Sequence, residues 1–207
     1  MYTPSAFAVT EPEVLHKFMQ QHSFATLISQ TPAMPLASHL PLLVDGTSGP
    51  LGRLRGHMAR ANSQWESANG QIVLAVFHGP HAYISPGWLT DSNLVPTWNY
   101  VTVHASGTLK LIDEHDQIMN LLHTTVDFYE SSQIQPWSAA RSDESFLNRL
   151  ATSIVGFEIE IEQLQGKWKL SQNHSAERRE QIVNGLTLTG RHSELQIANL
   201  MNPASSD

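Results

Sequence analysis

Arg60 and Asn62 stand two residues apart where a predicted strand, ending near His57, gives way to a predicted short helix. At such a junction, main-chain N–H groups without helical partners, the helix dipole and a guanidinium can together bind a phosphate group. The alternative is structural, with Asn62 capping the helix and Arg60 solvated. The spacing leaves both readings open.

A second group of residues could bind a flat aromatic ligand. Trp98 and Tyr100 are two residues apart, so on a strand they share a face, and Asn99 lies on the other. A ligand ring could stack on one aromatic side chain and form hydrogen bonds at its edge. An aromatic pair at a barrel rim, or an interface patch, would have the same spacing.

The densest positive run comes late in the chain and is either an anion site or a solvated face; it comprises Lys167, Lys169, Arg178 and Arg179. His78 and His81 have a His-x-x-His spacing, but a closed zinc site needs further ligands and the chain has no cysteine. We therefore predict no metal. A nucleophile elbow, a Walker A loop and a dinucleotide fingerprint are also missing from the sequence, so we assign no catalytic residue.

Composition narrows the classes of function. The 207 residues carry 12 Lys and Arg against 19 Asp and Glu, a formal net charge of −7, which disfavours DNA binding through the whole surface. The absence of cysteine excludes disulfides, and a reducing cytoplasm is the expected location. No apolar stretch is long enough for a membrane span, and the first residues do not resemble a signal peptide.

The hydrophobic periods predict six or seven strands with helical additions. A capping box at Thr10–Glu13 is expected to start the first helix, and later helices are expected over 59–67, 113–130, 142–153, 176–186 and 194–201. Strands are expected over 24–29, 36–44 (interrupted at Pro41), 52–57, 71–78, 98–112 and 154–164, with Gly79-Pro80 ending the fourth. Residues 202–207 are expected to be frayed. Short connections between strands favour an antiparallel barrel in an α+β chain that is mainly β.

Five collinear stretches resemble the PaiB family of FMN-binding, split-barrel proteins, whose members are known as negative transcriptional regulators. The resemblance covers about residues 1–185 and is carried by residues 38–43, 56–62, 79–86, 95–101 and 156–173. It implies a six-stranded split β-barrel over 1–173, with a helical extension over 174–207. It also implies a homodimer with FMN at the subunit interface. The family usually has proline after the asparagine of the phosphate segment, where this chain has Ser63.

The resemblance also implies which residues bind FMN. Arg60 and Asn62 would hold the phosphate, helped by His57, Met58, Ala59 and local N–H groups. The second strand would lie along the isoalloxazine edge, and a neighbouring wall would come from Trp98, Asn99, Tyr100 and Lys169. The second-strand residues are Ser38, His39, Leu40, Pro41 and Leu42.

Three functions fit this resemblance. The first is a flavin-dependent regulator, although residues 194–200 carry no Lys or Arg with which a recognition helix would meet DNA. The alternatives are a flavin-dependent oxidoreductase and a haem-binding relative of the same barrel. Whether the chain is an enzyme stays open at this point.

Overall fold

Strands with alternating buried and more exposed side chains form one sheet. The computed structural model describes residues 1–202, so residues 203–207 of the predicted extension, and most of its expected frayed tail, lie outside the described residues. Within 1–202 the strands are Ala8–Val9 (β1), Phe24–Gln30 (β2), Pro35–Pro41 (β3), Leu43–Asp45 (β4), Arg53–Ala59 (β5), Ile72–Ile84 (β6), Thr97–Ile112 (β7) and Ile154–Lys169 (β8).

Helices fill the connections and the C-terminal region. They are Pro12–Gln21 (α1), Gln64–Ala68 (α2), His115–Glu130 (α3), Glu144–Ala151 (α4), Ala176–Thr189 (α5) and His192–Met201 (α6). No helix in the described part of the chain is long and apolar enough to cross a membrane.

The sheet has the order β3-β2-β6-β7-β8-β5-β4, and β1 pairs with β8. The pairs β2–β3, β2–β6, β4–β5, β5–β8 and β1–β8 are antiparallel. This confirms the predicted mainly-β antiparallel class. The sheet is open and has eight strands over residues 1–202, seven on this path and β1 beside β8, whereas the hydrophobic periods predicted six or seven strands and the resemblance implied a six-stranded barrel; one extra strand arises because the chain breaks beside Pro41.

Tertiary pairing moved several predicted boundaries. Strand β6 continues through Gly79-Pro80, which was predicted to end it. The pairing of β6 with β2 stops at Val76, so Pro80 does not have to donate a main-chain N–H to β2. Strand β8 runs beyond Leu164 because Gly166 and Lys167 pair with β1. Helix α1 begins at Pro12, which needs no N–H at a first helical position, and the Thr10 N–H is accepted by the Glu11 carboxylate instead of forming the predicted box with Glu13.

The chain divides into two compact units. The central unit comprises residues 16–77 and 105–164, and its core includes Leu27, Leu54, Phe77, Leu109 and Phe157, all fully buried. The terminal unit comprises residues 1–15, 78–104 and 165–202, and its core includes Leu15, Val103, Ile182, Leu186 and Ile197. The predicted boundary at residue 173 stays a prediction.

Gly107 permits an unusually close approach of two strands in the central unit. A Cβ added there would lie 1.8 Å from the Glu160 carbonyl oxygen on β8 and 2.8 Å from its carbonyl carbon. We expect Gly107→Ala to destabilise the fold by about 3 kcal/mol, because the strand backbones must separate. Urea unfolding measures this change. Gly87→Ala is the control, since its Cβ would meet only the Ser85 Oγ at 3.4 Å.

Half-buried histidines make the fold sensitive to acid. Desolvation is the largest cause lowering the pKa from the ordinary 6.5 at His22, His57, His104 and His174. The unfolded chain therefore binds more protons than the folded chain just below pH 6.5. The contribution of these histidines to the free energy of unfolding is fully present above pH 6.5. It is lost as the pH falls toward their lowered pKa values in the folded chain.

We expect thermal unfolding at pH 5.5 to occur at a lower temperature than at pH 7.5. His22→Gln should remove part of this difference, because the ring packed on Phe18 no longer has to remain neutral. His192→Gln, at an exposed position, serves as the control. An equal pH dependence in the His22 variant and the wild type would contradict this explanation.

Candidate functional site

The guanidinium of Arg60 is held in place by the main chain of the α4–β8 junction. Its Nε donates to the Thr152 carbonyl and its Nη2 to the Ile154 carbonyl, both at 2.9 Å. The Arg60 main-chain N–H donates to Ser153 O, also at 2.9 Å. The side chain is exposed but oriented, so its position does not depend on a ligand.

Asn62 joins the turn after β5 to strand β3. Its Nδ2 donates to Ser38 Oγ at 2.8 Å, and its Oδ1 accepts the Gln64 N–H at 3.1 Å. The predicted helix over 59–67 is therefore shorter: residues 60–63 form a turn, and α2 begins at Gln64. Two of the predicted segments, 38–42 and 57–62, come together here.

Gln64 is a buried residue of this turn that sequence reasoning missed. Its Nε2 donates to Ser29 Oγ at 3.0 Å and to Leu27 O at 3.2 Å, and its Oε1 has no hydrogen-bond partner in the described residues. A polar residue at the start of a short helix gives little signal in sequence, because most such residues are solvated.

The predicted second-strand residues differ in what they can offer a ligand. His39 is exposed, stacks near Phe24 and shares a hydrogen bond with Thr26 Oγ1. Leu40 and Pro41 are half-buried, whereas the Leu42 side chain is fully buried against Gly56. Leu42 can therefore contact FMN only through its main chain.

Strand β5 brings the remaining central candidates opposite β8. His57 faces Gly156, Met58 faces Val155 and Ala59 faces Ile154 in the register. Burial lowers the pKa of His57, so its ring is neutral at neutral pH and can offer a hydrogen bond to a phosphate but no charge. The Met58 side chain lies in the core at 2% exposure.

The other four candidates lie in the terminal unit. Asn99 is buried and donates through Nδ2 to Ser171 Oγ at 3.0 Å, while Trp98 is half exposed and Tyr100 lies beneath the Lys167 ammonium. This agrees with the predicted separation of Asn99 from the two rings. Lys169 Nζ donates to Thr97 Oγ1 and to Trp98 O. Burial, with a smaller contribution from Lys167, lowers the pKa of Lys169.

Asn99 and Lys169 also line a cavity of about 440 Å³ inside the terminal unit. Its lining combines apolar side chains from the N-terminal segment and the β6–β7 connection with polar and basic side chains from β8 and α5. Its other lining residues include Phe7, Leu89, Leu94, Ser171, His174, Arg178 and Ile182. Sequence reasoning assigned Lys169 and Arg178 to one positive run but did not place them in a cavity.

Metal ligands are not gathered in the described part of the chain. No group of three or more His, Asp or Glu side chains that could hold an ion is found among residues 1–202. His81 instead packs near the Trp98 ring, with its main-chain N–H accepted by Ser193 Oγ.

The Arg60 turn fits the phosphate of FMN chemically. Only Nε and Nη2 of Arg60 donate within residues 1–202, which leaves Nη1 for an anion, and the side chain is already oriented. Asn62, two residues further along the same turn, and Ser38, its hydrogen-bond partner, supply short polar side chains. When bound, the flavin would supply electron-transfer chemistry, and these residues would bind and orient it.

Known proteins resemble the chain over nearly its whole length. Residues 1–163 match the family described as "Putative FMN-binding domain". Protease synthase and sporulation protein PAI 2 of Bacillus subtilis (strain 168) is 34% identical over 202 residues, covering 97% of this chain and 96% of that protein. Uncharacterized protein AN0679 of Emericella nidulans is 29% identical over 245 residues, covering 97% and 96%.

Two solved structures share the fold at low sequence identity. The flavocytochrome Anf3 from Azotobacter vinelandii has a TM-score of 0.58 and 13% identity, over 78% of this chain and 69% of that one. The FAD and heme binding protein from Mycobacterium smegmatis also has a TM-score of 0.58 and 13% identity, over 86% and 80%. These likenesses confirm the split-barrel fold class and carry nothing further.

The family match confirms the flavin cofactor expected from the sequence, and FMN is the flavin it specifies. The near-complete alignment with the Bacillus subtilis relative confirms the resemblance carried by the five stretches. This chain therefore belongs to the PaiB family of FMN-binding proteins.

Proposed function

We propose that the chain binds FMN with its phosphate at the Arg60–Asn62 turn and acts as a flavin-dependent negative regulator of transcription. The observation that carries the phosphate site is the Arg60 guanidinium, fixed by two carbonyl oxygens with Nη1 still available. A charge-assisted hydrogen bond from an oriented guanidinium is the strongest contact that the turn can offer a phosphate. Asn62 and Ser38 complete its polar lining.

We place the isoalloxazine edge along residues 38–41 of β3 and the main chain of Leu42, which follows it. Strand β3 ends the sheet path, and in the described chain β2 is the strand with which it pairs, so residues 38–41 have no second strand paired beside them. The facing wall would come from a second copy of the chain, through Trp98 and Tyr100, whereas Asn99 and Lys169 of each copy line the cavity of its own terminal unit. The 52% exposure of Trp98 supports its use at such an interface.

The regulatory part of the proposal is supported by family membership. The Bacillus subtilis relative carries the name "Protease synthase and sporulation protein PAI 2". By this likeness we assign to the present chain a role in controlling gene expression, exerted in the cytoplasm as a homodimer. Because this role would depend on bound flavin, it would respond to the availability of flavin in the cell or to the redox state of the flavin.

The C-terminal helices favour regulation through a partner protein or through dimer conformation over direct contact with DNA. Arg191, at the start of α6, forms an ion pair with the nearly buried Glu194. Arg178 and Arg179 of α5 are engaged by His174 and by Met201 O, respectively. Arginines held in contacts within the chain are poorly placed to reach the phosphate backbone of a DNA duplex, whose contacts supply most of the affinity for DNA.

We expect Arg60→Ala to weaken FMN binding by about 1.5–3 kcal/mol, roughly tenfold to a hundredfold, because a charge-assisted phosphate contact is lost. Titration followed by flavin fluorescence measures the affinity. Arg141→Ala removes an exposed arginine of the same unit and should leave the affinity unchanged. Unchanged FMN affinity in a folded Arg60→Ala protein would place the phosphate elsewhere.

Gel-shift titration with genomic fragments at about 0.1 M salt tests the regulatory route. We expect no specific retardation by the FMN-loaded protein alone, because the helices offer few available cations. Specific retardation by the purified protein would contradict regulation through a partner.

A further inference from the structure

Three of the five stretches that resemble the PaiB family meet at the 440 Å³ cavity of the terminal unit. Ile84 and Pro86 come from the end of β6 and the turn after it, Thr97 and Asn99 from β7, and residues 169–173 from the end of β8. A phosphate site at Arg60 does not explain why these three stretches lie together. A shared cavity is the physical feature that these distant stretches have in common.

Basic groups gather on the polar side of this cavity. Lys169 Nζ is held by Thr97 Oγ1 and Trp98 O, two neutral acceptors that orient the ammonium without cancelling its charge. Arg178 Nη1 lies 3.3 Å from His174 Nδ1. Because neutral acceptors leave a positive potential in a partly enclosed space, this side is suited to an anion.

One carboxylate, that of Asp91, lies near the Arg178 guanidinium without forming a hydrogen bond of good geometry to it. Asp91 Oδ2 lies 3.5 Å from Arg178 Nε, and the Asp91 side chain is 57% exposed. The same Nε is buried and has no hydrogen bond of good geometry among the described residues. An exposed, loosely placed acid can move aside when a better-placed anion arrives.

Much of the remaining lining is apolar. It includes Phe7, Leu89, Leu94, Val95 and Ile182. A volume of about 440 Å³ lies in the range of small-molecule sites, which combine apolar walls with a few convergent polar groups. The cavity therefore suits a ligand with an anionic head and an apolar body.

We propose that this cavity is a second ligand site of the protein, which binds a small organic anion with its head at Lys169 and Arg178 and its apolar body against Leu89, Leu94 and Ile182. The head is a carboxylate or a phosphate ester. The site is separate from the Arg60 turn, and it requires neither FMN binding nor the regulatory role.

Calorimetric titration of the FMN-free and the FMN-saturated protein tests the site with three matched probes: naphthoate, naphthyl phosphate and the neutral naphthamide. At least one anion should bind, and naphthamide should bind at least about tenfold more weakly, because it cannot form the charge-assisted contacts. The stronger of the two anions identifies the head group. Equal affinity for naphthamide would overturn the proposal.

Variants assign the binding to the cavity. Arg178→Gln and Lys169→Gln should each weaken the preferred anion at least about tenfold, with folding checked by thermal unfolding. Lys17→Gln removes an exposed lysine of α1 and is the control for the change in net charge. Equal weakening in Lys17→Gln, or none in both cavity variants, would contradict the assignment.

Comparison with FMN separates this proposal from the proposed function. Anion affinity that is unchanged by saturating FMN supports two sites, whereas competitive displacement by FMN shows that the cavity is the flavin site and overturns the separate one. Protein that binds FMN but neither anion contradicts only the present inference. Protein that binds an anion but not FMN contradicts only the proposed function.

Discussion

The orientation of one guanidinium by main-chain carbonyls is the interaction on which the candidate FMN site depends. The Arg60 side chain would otherwise be free to rotate in solvent, and an unrestrained arginine loses much of its rotamer entropy when it binds an anion. The carbonyls of Thr152 and Ile154 remove part of that freedom before any ligand arrives. The Ile154 carbonyl is positioned by the pairing of β5 with β8, and Thr152 lies at the end of α4, two residues before that pairing begins, so the turn depends on the sheet's register.

The two units offer different kinds of anion site. In the central unit, one arginine and short polar side chains form an exposed turn suited to the terminal phosphate of a larger ligand. In the terminal unit, basic groups face apolar walls in a partly enclosed cavity, which suits a smaller molecule bound by its whole surface. The Arg60 guanidinium stays exposed to solvent, whereas the Lys169 ammonium loses part of its hydration in the cavity. This loss of hydration is the main reason that the pKa of Lys169 is lowered.

Strand alternation made much of the fold predictable, because a buried face repeats every two residues. Thr97–Ile112 and Ile154–Lys169 were found in this way, and the break beside Pro41 followed from its missing N–H. The extension of β6 through Pro80 and of β8 through Gly166 depended on which strands pair there, and local sequence does not report that. The open order of the strands could not be predicted from the local sequence either.

The site was predictable only in part, for a related reason. The residue pattern predicted Arg60 and Asn62 just after the end of a strand, and the resemblance assigned the phosphate of FMN to them. The contact between Asn62 and Ser38 requires two segments 24 residues apart in sequence to meet, and the cavity requires segments separated by most of the chain. Gln64 gave no signal because its burial arises entirely from tertiary packing.

The turn after β5 has a second consequence, for self-association. Terminal strands of a sheet invite pairing with other molecules, and β3 begins and ends with proline, which shortens the run of main-chain donors that a foreign strand could use. Gln64 Nε2 also donates to the Leu36 carbonyl, so the turn occupies an acceptor of this same strand. Gln64, which follows the candidate phosphate turn, therefore also limits pairing of this edge with other molecules.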